Sequence, residues 1–384
     1  MKPLVAAAAV TFTLVGCGGG SPSPSPAAPS PAPSVGTLTY TVQGKQIVAS
    51  DGSVYVPYGV ELLGLEGPNN QPWQDDSALP YMNQAQMQAA VQIWHANTIR
   101  IQAVSQYLFD QQPYDAQYLN FMDNEVQWAH QYGANVIIAL QYEVQPNPQP
   151  LPTQDSVNFW AFVSKHYAND PWVFFDIFNE PVSPTGTDDA YAWQCWQQGC
   201  TINGVTYVGM QQLVNTIRQN APSNLIFAEG LAAGEDIILL PNYLLTGGNI
   251  VYAIHPYFGP QHQSPSDWDT WFGNTASNGN FPVVADEWNE YNSATKGECL
   301  SNGPALVPEF LSYLQQKNIG LIAWALAPGL LITQSNGTWN YTVPTSFAPG
   351  QTTWTCQDPF PPLNETQGSG ALIQAYFAQL SRMP

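Results

Sequence analysis

VFFDIFNEP, residues 173–181, is an apolar run of strand length that carries one aspartate, Asp176, and stops on Asn179, Glu180 and Pro181. A run without polar alternation reads as a strand covered on both faces, as in a parallel sheet wrapped by helices. It ends on an amide and a carboxylate. In an α/β barrel the chemistry gathers at such strand ends.

Working outward, seven further runs have the same character: 58–67, 96–103, 134–141, 224–230, 250–257, 281–288 and 320–327. Helical patterns alternate with them at about 83–96, 115–132, 155–168, 207–220, 235–245, 266–276, 304–318 and 369–382. Eight strand-and-helix units predict an α/β fold, a (β/α)8 TIM barrel. A doubly wound open sheet is disfavoured, since no Gly-rich phosphate loop follows the first strand. Before the barrel, residues 38–59 alternate around Gly44 and Asp51-Gly52, which predicts a short N-terminal β-hairpin closing the bottom. Long βα loops follow the strands at 67–82, 142–154, 181–206, 257–265, 288–303 and 328–366, and they hold Trp73, Trp193, Trp196, Trp288, Trp339 and Trp354. Aromatic faces stack on sugar C–H faces. As a group these tryptophans therefore suggest a carbohydrate cleft, although packing explains any one of them as well.

The ends and the charge set the compartment. Met1-Lys2-Pro3, an apolar stretch and Leu14-Val15-Gly16-Cys17 resemble a bacterial lipoprotein signal, which implies cleavage of residues 1–16 and a lipid on Cys17. An ordinary secretory signal is the alternative, and the apolar run is shorter than the ~20 residues of a spanning helix. Residues 17–35 are a Pro/Ser-rich tether, which leaves 36–384 as one catalytic domain. Only 8 Lys+Arg stand against 28 Asp+Glu, for a net charge of −20. That balance excludes a basic patch for nucleic acid or an anionic membrane face, so contact with a membrane is expected only through the lipid anchor. With 9% of residues charged, the polar surface rests on groups that do not titrate in acid, which suggests work in an acidic exterior. Beyond Cys17 four cysteines remain, an even number that suggests two disulfides in an exported protein. Cys195–Cys200 with Cys299–Cys356 is the simplest of three connectivities. A zinc site is the rival, disfavoured because no histidine lies near either pair in sequence.

The decisive comparison is FFDIFNEP (174–181) with FPVVADEW (281–288), two apolar strands that each end in a glutamate. Strands four and seven face each other across a barrel mouth. Glu180 and Glu287 there meet the need of glycosidic cleavage for a proton donor and a second carboxylate. From about residue 40 the chain resembles glycoside hydrolase family 5, the cellulase-type barrels of clan A. The resemblance rests on the stretch 42–62, NTIRIQ (97–102), FNEP (178–181), IHPY (254–257), ADEW (285–288) and the tryptophan of LIAWAL (321–326). It implies that Glu180 is the acid/base and Glu287 the nucleophile, and that Asn179 bonds the sugar 2-hydroxyl. It also implies that Arg100 and Tyr257 keep Glu287 ionised with support from His255, and that Trp324 is the sugar platform. The charge on Glu287 would then keep Glu180 protonated, and carboxyls ~5–5.5 Å apart would give retention.

Plainer readings stand beside these. Arg100 can be an ion-pair partner, His255 a core histidine and Trp324 barrel packing, while Asp176 and Asp286 read as structural acceptors and Glu229 as a third candidate acid. At the end of strand three, where the family commonly carries histidine, this sequence has Gln141, Tyr142 and Glu143. The expected activity is retaining, endo-acting cleavage of β-1,4-linked, cellulose-like polysaccharide. Mannan or mixed-linkage glucan, or transfer instead of hydrolysis, are the alternatives. A carbohydrate-binding lipoprotein is the non-enzyme alternative, disfavoured because both glutamates are present. No cofactor or metal is expected, since two carboxyls supply acid, base and nucleophile. The partner is a β-linked poly- or oligosaccharide, the chain a monomer, and its place the cell envelope or surface, anchored or released.

Overall fold

The computed structural model describes residues 38–66, 83–144, 149–291, 299–335, 337–356 and 365–383. They belong to one compact unit spanning Thr37–Pro384. Trp73 and Cys17, with the signal and tether, lie outside the described residues.

Eight parallel strands close a barrel in chain order: Tyr58–Leu62 (β1), Thr98–Val104 (β2), Asn135–Tyr142 (β3), Val173–Asp176 (β4), Ile226–Glu229 (β5), Ile250–Ile254 (β6), Val283–Trp288 (β7) and Gly320–Ala323 (β8). Closure joins β8 to β1 through Leu321 opposite Tyr58. The strands are buried almost throughout because helices cover one face and the barrel interior the other. The quoted stretch is thus β4, but its ladder ends at Asp176, and Asn179 and Glu180 lie on the turn beyond.

Side chains two apart share a face, so each strand sends alternate residues inward. The lower interior is apolar: Ile137, Phe174, Phe227, Val251, Val284 and Ile322 pack together, and Tyr40 and Ile47 close the floor. The floor comes from the N-terminal segment, which is a three-stranded antiparallel sheet where the sequence predicts a hairpin. The third strand, Val54–Tyr55, pairs back because Asp51 accepts the Ser53 N–H and hydroxyl and tightens the second turn.

Other expectations are corrected. The helix predicted over 235–245 is only a turn of 3-10 helix at Leu240–Asn242. Proline within that turn and left-handed residues at 232–234 prevent an α-helix. The pattern at 266–276 is broken into Pro265–Trp268, a π turn at Asp269–Gly273 and Asn274–Asn278. Long loops carry antiparallel hairpins, Cys200–Ile202 with Val205–Tyr207 and Ile332–Ser335 with Thr338–Pro344. The cysteines pair as Cys195–Cys200 and Cys299–Cys356, with Cα atoms 5.0 and 5.9 Å apart. Loop tryptophans 193, 196, 288, 339 and 354 are buried, so packing and not a cleft accounts for them.

Two of the cations hold loop and helix ends. Arg218 donates to the carbonyls of Ala221, Gly247 and Gly248, and Lys317 pairs with Asp269 at 2.6 Å. Glu125, on the helix Ala116–Tyr132, is fully buried and neither oxygen has a partner among the described residues. Burial pushes its carboxyl up to about 8. The folded state therefore keeps a proton that the unfolded chain releases near pH 4.3. Stability from this site is complete in acid and lost as pH rises toward 8. Replacing it by methionine, Glu125→Met, is expected to raise Tm by about 5 °C more at pH 8 than at pH 4.5. Thermal unfolding at the two pH values checks this, and an equal gain at both would refute it.

Candidate active site

Above the apolar floor the inward positions become charged. Phe174 is followed two residues on by Asp176, Phe227 by Glu229, Val284 by Asp286 and Ala253 by His255; Glu61 and Arg100 enter from β1 and β2. All six are fully buried. A layer of this kind stands only if the charges neutralise one another and their hydrogen bonds are met.

Arg100 is the centre of that layer. Its Nη1 donates to Glu61 Oε2 and, at 2.9 Å, to Glu287 Oε2. Nη2 donates to Asp176 Oδ2 at 2.7 Å, Asn179 Oδ1 at 2.8 Å and Glu229 Oε1 at 3.2 Å, and Nε reaches Asp176 Oδ2 again. Gln102 adds a donor to Glu61. The flat, five-donor guanidinium joins five strands or strand ends in one plane, which a lysine cannot do.

Around the mouth the structure brings Arg100, Asn179, Glu180, His255, Tyr257 and Glu287 together. Tyr257 donates to Glu287 Oε1 at 3.0 Å, so both oxygens of Glu287 are held, one by Tyr257 and one by Arg100. His255 Nδ1 lies 3.4 Å from Glu180 Oε1 and 3.9 Å from Glu287 Oε1. Its Nε2 lies 3.2 Å from Glu229 Oε1 and 3.4 Å from Asp286 Oδ1. Donor atoms of Glu180, His255 and Glu287 are all within 4.8 Å of one another, as are those of Glu229, His255 and Asp286. In each set the imidazole supplies the positive charge that the carboxyls pair with. Asn179 must turn its oxygen to Arg100, since Arg only donates. That leaves Asn179 Nδ2 with no partner among the described residues, although the residue is 4% exposed. A buried, unmet donor beside two carboxyls is suited to a hydroxyl-bearing ligand.

Burial dominates the electrostatics. It pushes Glu61 and Asp176 well above the usual carboxylate range despite Arg100. Glu287 is also raised, by burial first, with His255 and Arg100 opposing and Glu180 and Glu229 adding to the shift. The expectation that Arg100 and Tyr257 would hold this carboxyl low is therefore corrected: desolvation outweighs them. For His255 the balance is reversed. Burial opposes its charge, but Glu229, Glu287, Asp286 and Glu180 lift it well above the ordinary histidine value, which favours the imidazolium form. Arg100 likewise stays charged against burial because Glu61, Asp176, Asp286 and Glu287 surround it.

Trp324 is partly exposed above β8, beside Tyr291 at a ring distance of 5.2 Å. Its peptide bond to Ala325 is cis. Glu143, one of the three residues in the family's histidine region, turns away from the mouth. It accepts from the Thr153 and Ser156 N–H groups, capping the helix Gln154–His166. Gln141 stays at the end of β3, buried, with Oε1 unpartnered among the described residues. Glu61 and Gln102 escape sequence reasoning; the inward period of two around Arg100 is the signal that finds them. Asp286 and Glu229, read there as a scaffold acceptor and a spare acid, both flank His255.

The family profile described as Cellulase (glycosyl hydrolase family 5) matches residues 56–329. Endoglucanase N of Pectobacterium atrosepticum is 22% identical over 292 residues, 74% of this chain and 56% of that protein. Endoglucanase 5 of Pectobacterium carotovorum subsp. carotovorum is 23% identical over 273 residues, 70% of this chain and 47% of that protein. The chain thus spans about half the length of the curated relatives it matches. Among solved structures, a β-glucanase from Saccharophagus degradans in complex with cellotetraose superposes with a TM-score of 0.64 at 17% identity, covering 90% of this chain and 94% of the other.

Because the charged layer depends on one guanidinium, Arg100→Lys is expected to cost about 3 kcal/mol or more of stability although the charge is kept. Urea unfolding measures this. A loss below about 1 kcal/mol would mean that the acids do not need the planar fork.

Proposed function

From the premise that the chain belongs to glycosyl hydrolase family 5, we propose that it cleaves β-linked glucan by a retaining double displacement. The observation that carries the reading is Glu287, gripped on both oxygens by Tyr257 and Arg100, with its carboxyl near that of Glu180. Carboxyl oxygens within 4.8 Å of each other favour the ~5–5.5 Å carboxyl spacing of retaining enzymes over the ~6.5–9.5 Å of inverting ones.

Glu287 attacks the anomeric carbon while the carboxyl proton of Glu180 moves to the departing glycosidic oxygen. The C–O bond breaks and a glycosyl ester forms on Glu287. Glu180, now ionised, takes a proton from water, whose oxygen attacks the same carbon and frees Glu287. The buried imidazolium and guanidinium favour the ionised nucleophile against its desolvation. Asn179 Nδ2 is the donor for the sugar 2-hydroxyl, and Trp324 offers its face to the ring. Two carboxyls supply the acid, base and nucleophile.

Endo-acting attack on β-1,4-glucan is the preferred substrate reading, supported by relatives named endoglucanases and by a fold neighbour that binds cellotetraose. Gln141, in place of the family's common histidine, favours a second reading in which β-mannan or mixed-linkage glucan is accepted. We further propose that residues 1–16 are a lipoprotein signal, with Cys17 lipidated and 17–35 a tether, so that the domain 36–384 works as a monomer at the cell envelope or surface. The support is the lipobox and the uncharged Pro/Ser segment.

Glu180→Gln and Glu287→Gln are each expected to lower kcat on soluble β-glucan by about 100-fold or more. Azide should rescue Glu287→Gly and yield a glycosyl azide of inverted configuration. Reducing-end release and product stereochemistry are the readouts, and full activity in either glutamine variant would overturn the assignment.

A further inference from the structure

Of the buried acids to which the scheme above gives no step, one contacts the proton donor directly. Glu229 ends β5, fully buried, and touches three members of the site. Its Oε2 accepts the backbone N–H of Glu180 at 2.6 Å, while Oε1 faces Arg100 Nη2 and His255 Nε2, each at 3.2 Å. The Glu180 peptide needs holding, because its φ is +50°, a region that costs a residue with a side chain roughly 1–2 kcal/mol.

The turn after Glu229 grips the same segment a second time. Ala232, Ala233 and Gly234 are all left-handed, with φ of +55°, +59° and +80°, and the Ala233 N–H reaches the Pro181 carbonyl at 3.0 Å. Gly234 has to be bare: a Cβ there would sit 2.9 Å from Glu229 Oε2. From behind, Trp196 Nε1 donates to the Glu229 carbonyl at 2.9 Å and fixes the strand end. The strain in this turn is spent on bringing donors and acceptors of β5 against residues 180 and 181.

We infer that Glu229 is a positioning residue for the proton donor, clamping the Glu180 peptide from β5. The inference rests on reading Glu180 as the donor. Glu229 acts on both ends of that residue: it holds the backbone N–H directly and the side chain through His255, whose Nδ1 lies 3.4 Å from Glu180 Oε1. A donor freed from this clamp would stay near the glycosidic oxygen but lose its aim, and misplacement by ~1 Å costs about 100-fold. Nucleophilic attack would be largely spared, since Tyr257 holds Glu287 independently.

The test separates steps that need a proton from one that does not. kcat/KM is measured for wild type, Glu229→Ala, Glu229→Gln and Glu180→Gln on a β-glucan oligosaccharide and on dinitrophenyl β-cellobioside, whose phenolate leaves unprotonated. Glu229→Ala is expected to lose about 100-fold on the oligosaccharide and under about 5-fold on the activated glycoside, matching the pattern of Glu180→Gln. Glu229→Gln, which keeps an oxygen for the Glu180 N–H, should show the same split at about tenfold. If the alanine variant does not fold, the split in the glutamine variant decides. Equal losses on both substrates, or none, while Glu180→Gln splits them, would reduce Glu229 to scaffold. Absence of a split in Glu180→Gln would overturn the donor assignment and this inference with it.

Discussion

One buried guanidinium sets the terms for the rest of the barrel. Six carboxyls, from Glu61, Asp176, Glu180, Glu229, Asp286 and Glu287, crowd a space whose positive groups are Arg100 and His255. Charge of that excess is costly in a dry interior, and burial raises the Glu61, Asp176 and Glu287 carboxyls despite the cations beside them. Arg100, bonded to Glu61, Asp176, Glu229 and Glu287 at once, is the point on which those acids converge. The apolar floor matters for the same reason. By keeping water from below, the Phe174, Phe227 and Val284 layer makes each contact above it count for more.

The barrel was legible because eight unbroken apolar runs have few other uses in one chain. The two strand-end glutamates were legible because a carboxylate after such a run stands out. The charged layer was harder to see. Asp176 inside VFFDIFNEP looks like an interruption of an apolar strand, whereas it is the next inward step after Phe174, and Glu229 bears the same relation to Phe227. Period two was present within runs that period counting treated as continuous. Loop tryptophans misled for the opposite reason: composition cannot distinguish an aromatic that faces sugar from one that, like Trp196, anchors a strand end through its indole N–H. The helix expected over 235–245 failed because Asp236 bridges back to Leu231 to close the left-handed turn at 232–234, and a proline interrupts the rest.

The acid-leaning composition also acquires a physical meaning. A scarcity of ion pairs limits what protonation can break, but the structure adds a positive term. The half-buried Glu66 carboxyl, pushed up to about 7 by desolvation, keeps its proton in the folded chain at pH values where the unfolded chain has ionised. Such groups favour the folded state in acid and withdraw that support as pH climbs toward 7.

The placing of the cations has a further consequence, for resistance to proteolysis. Proteases of the trypsin type must draw an extended segment containing Lys or Arg into their cleft. Here Arg100 is sealed in the barrel, Arg218 is tied to three carbonyls, Lys165 lies within a helix and Lys317 is paired at the end of another. Among the described residues only Lys45, in a hairpin turn, and Arg382, near the end of the chain, lie outside helices and the barrel wall. Among the described residues, most cations thus sit in structured segments that such a protease cannot draw out without local unfolding.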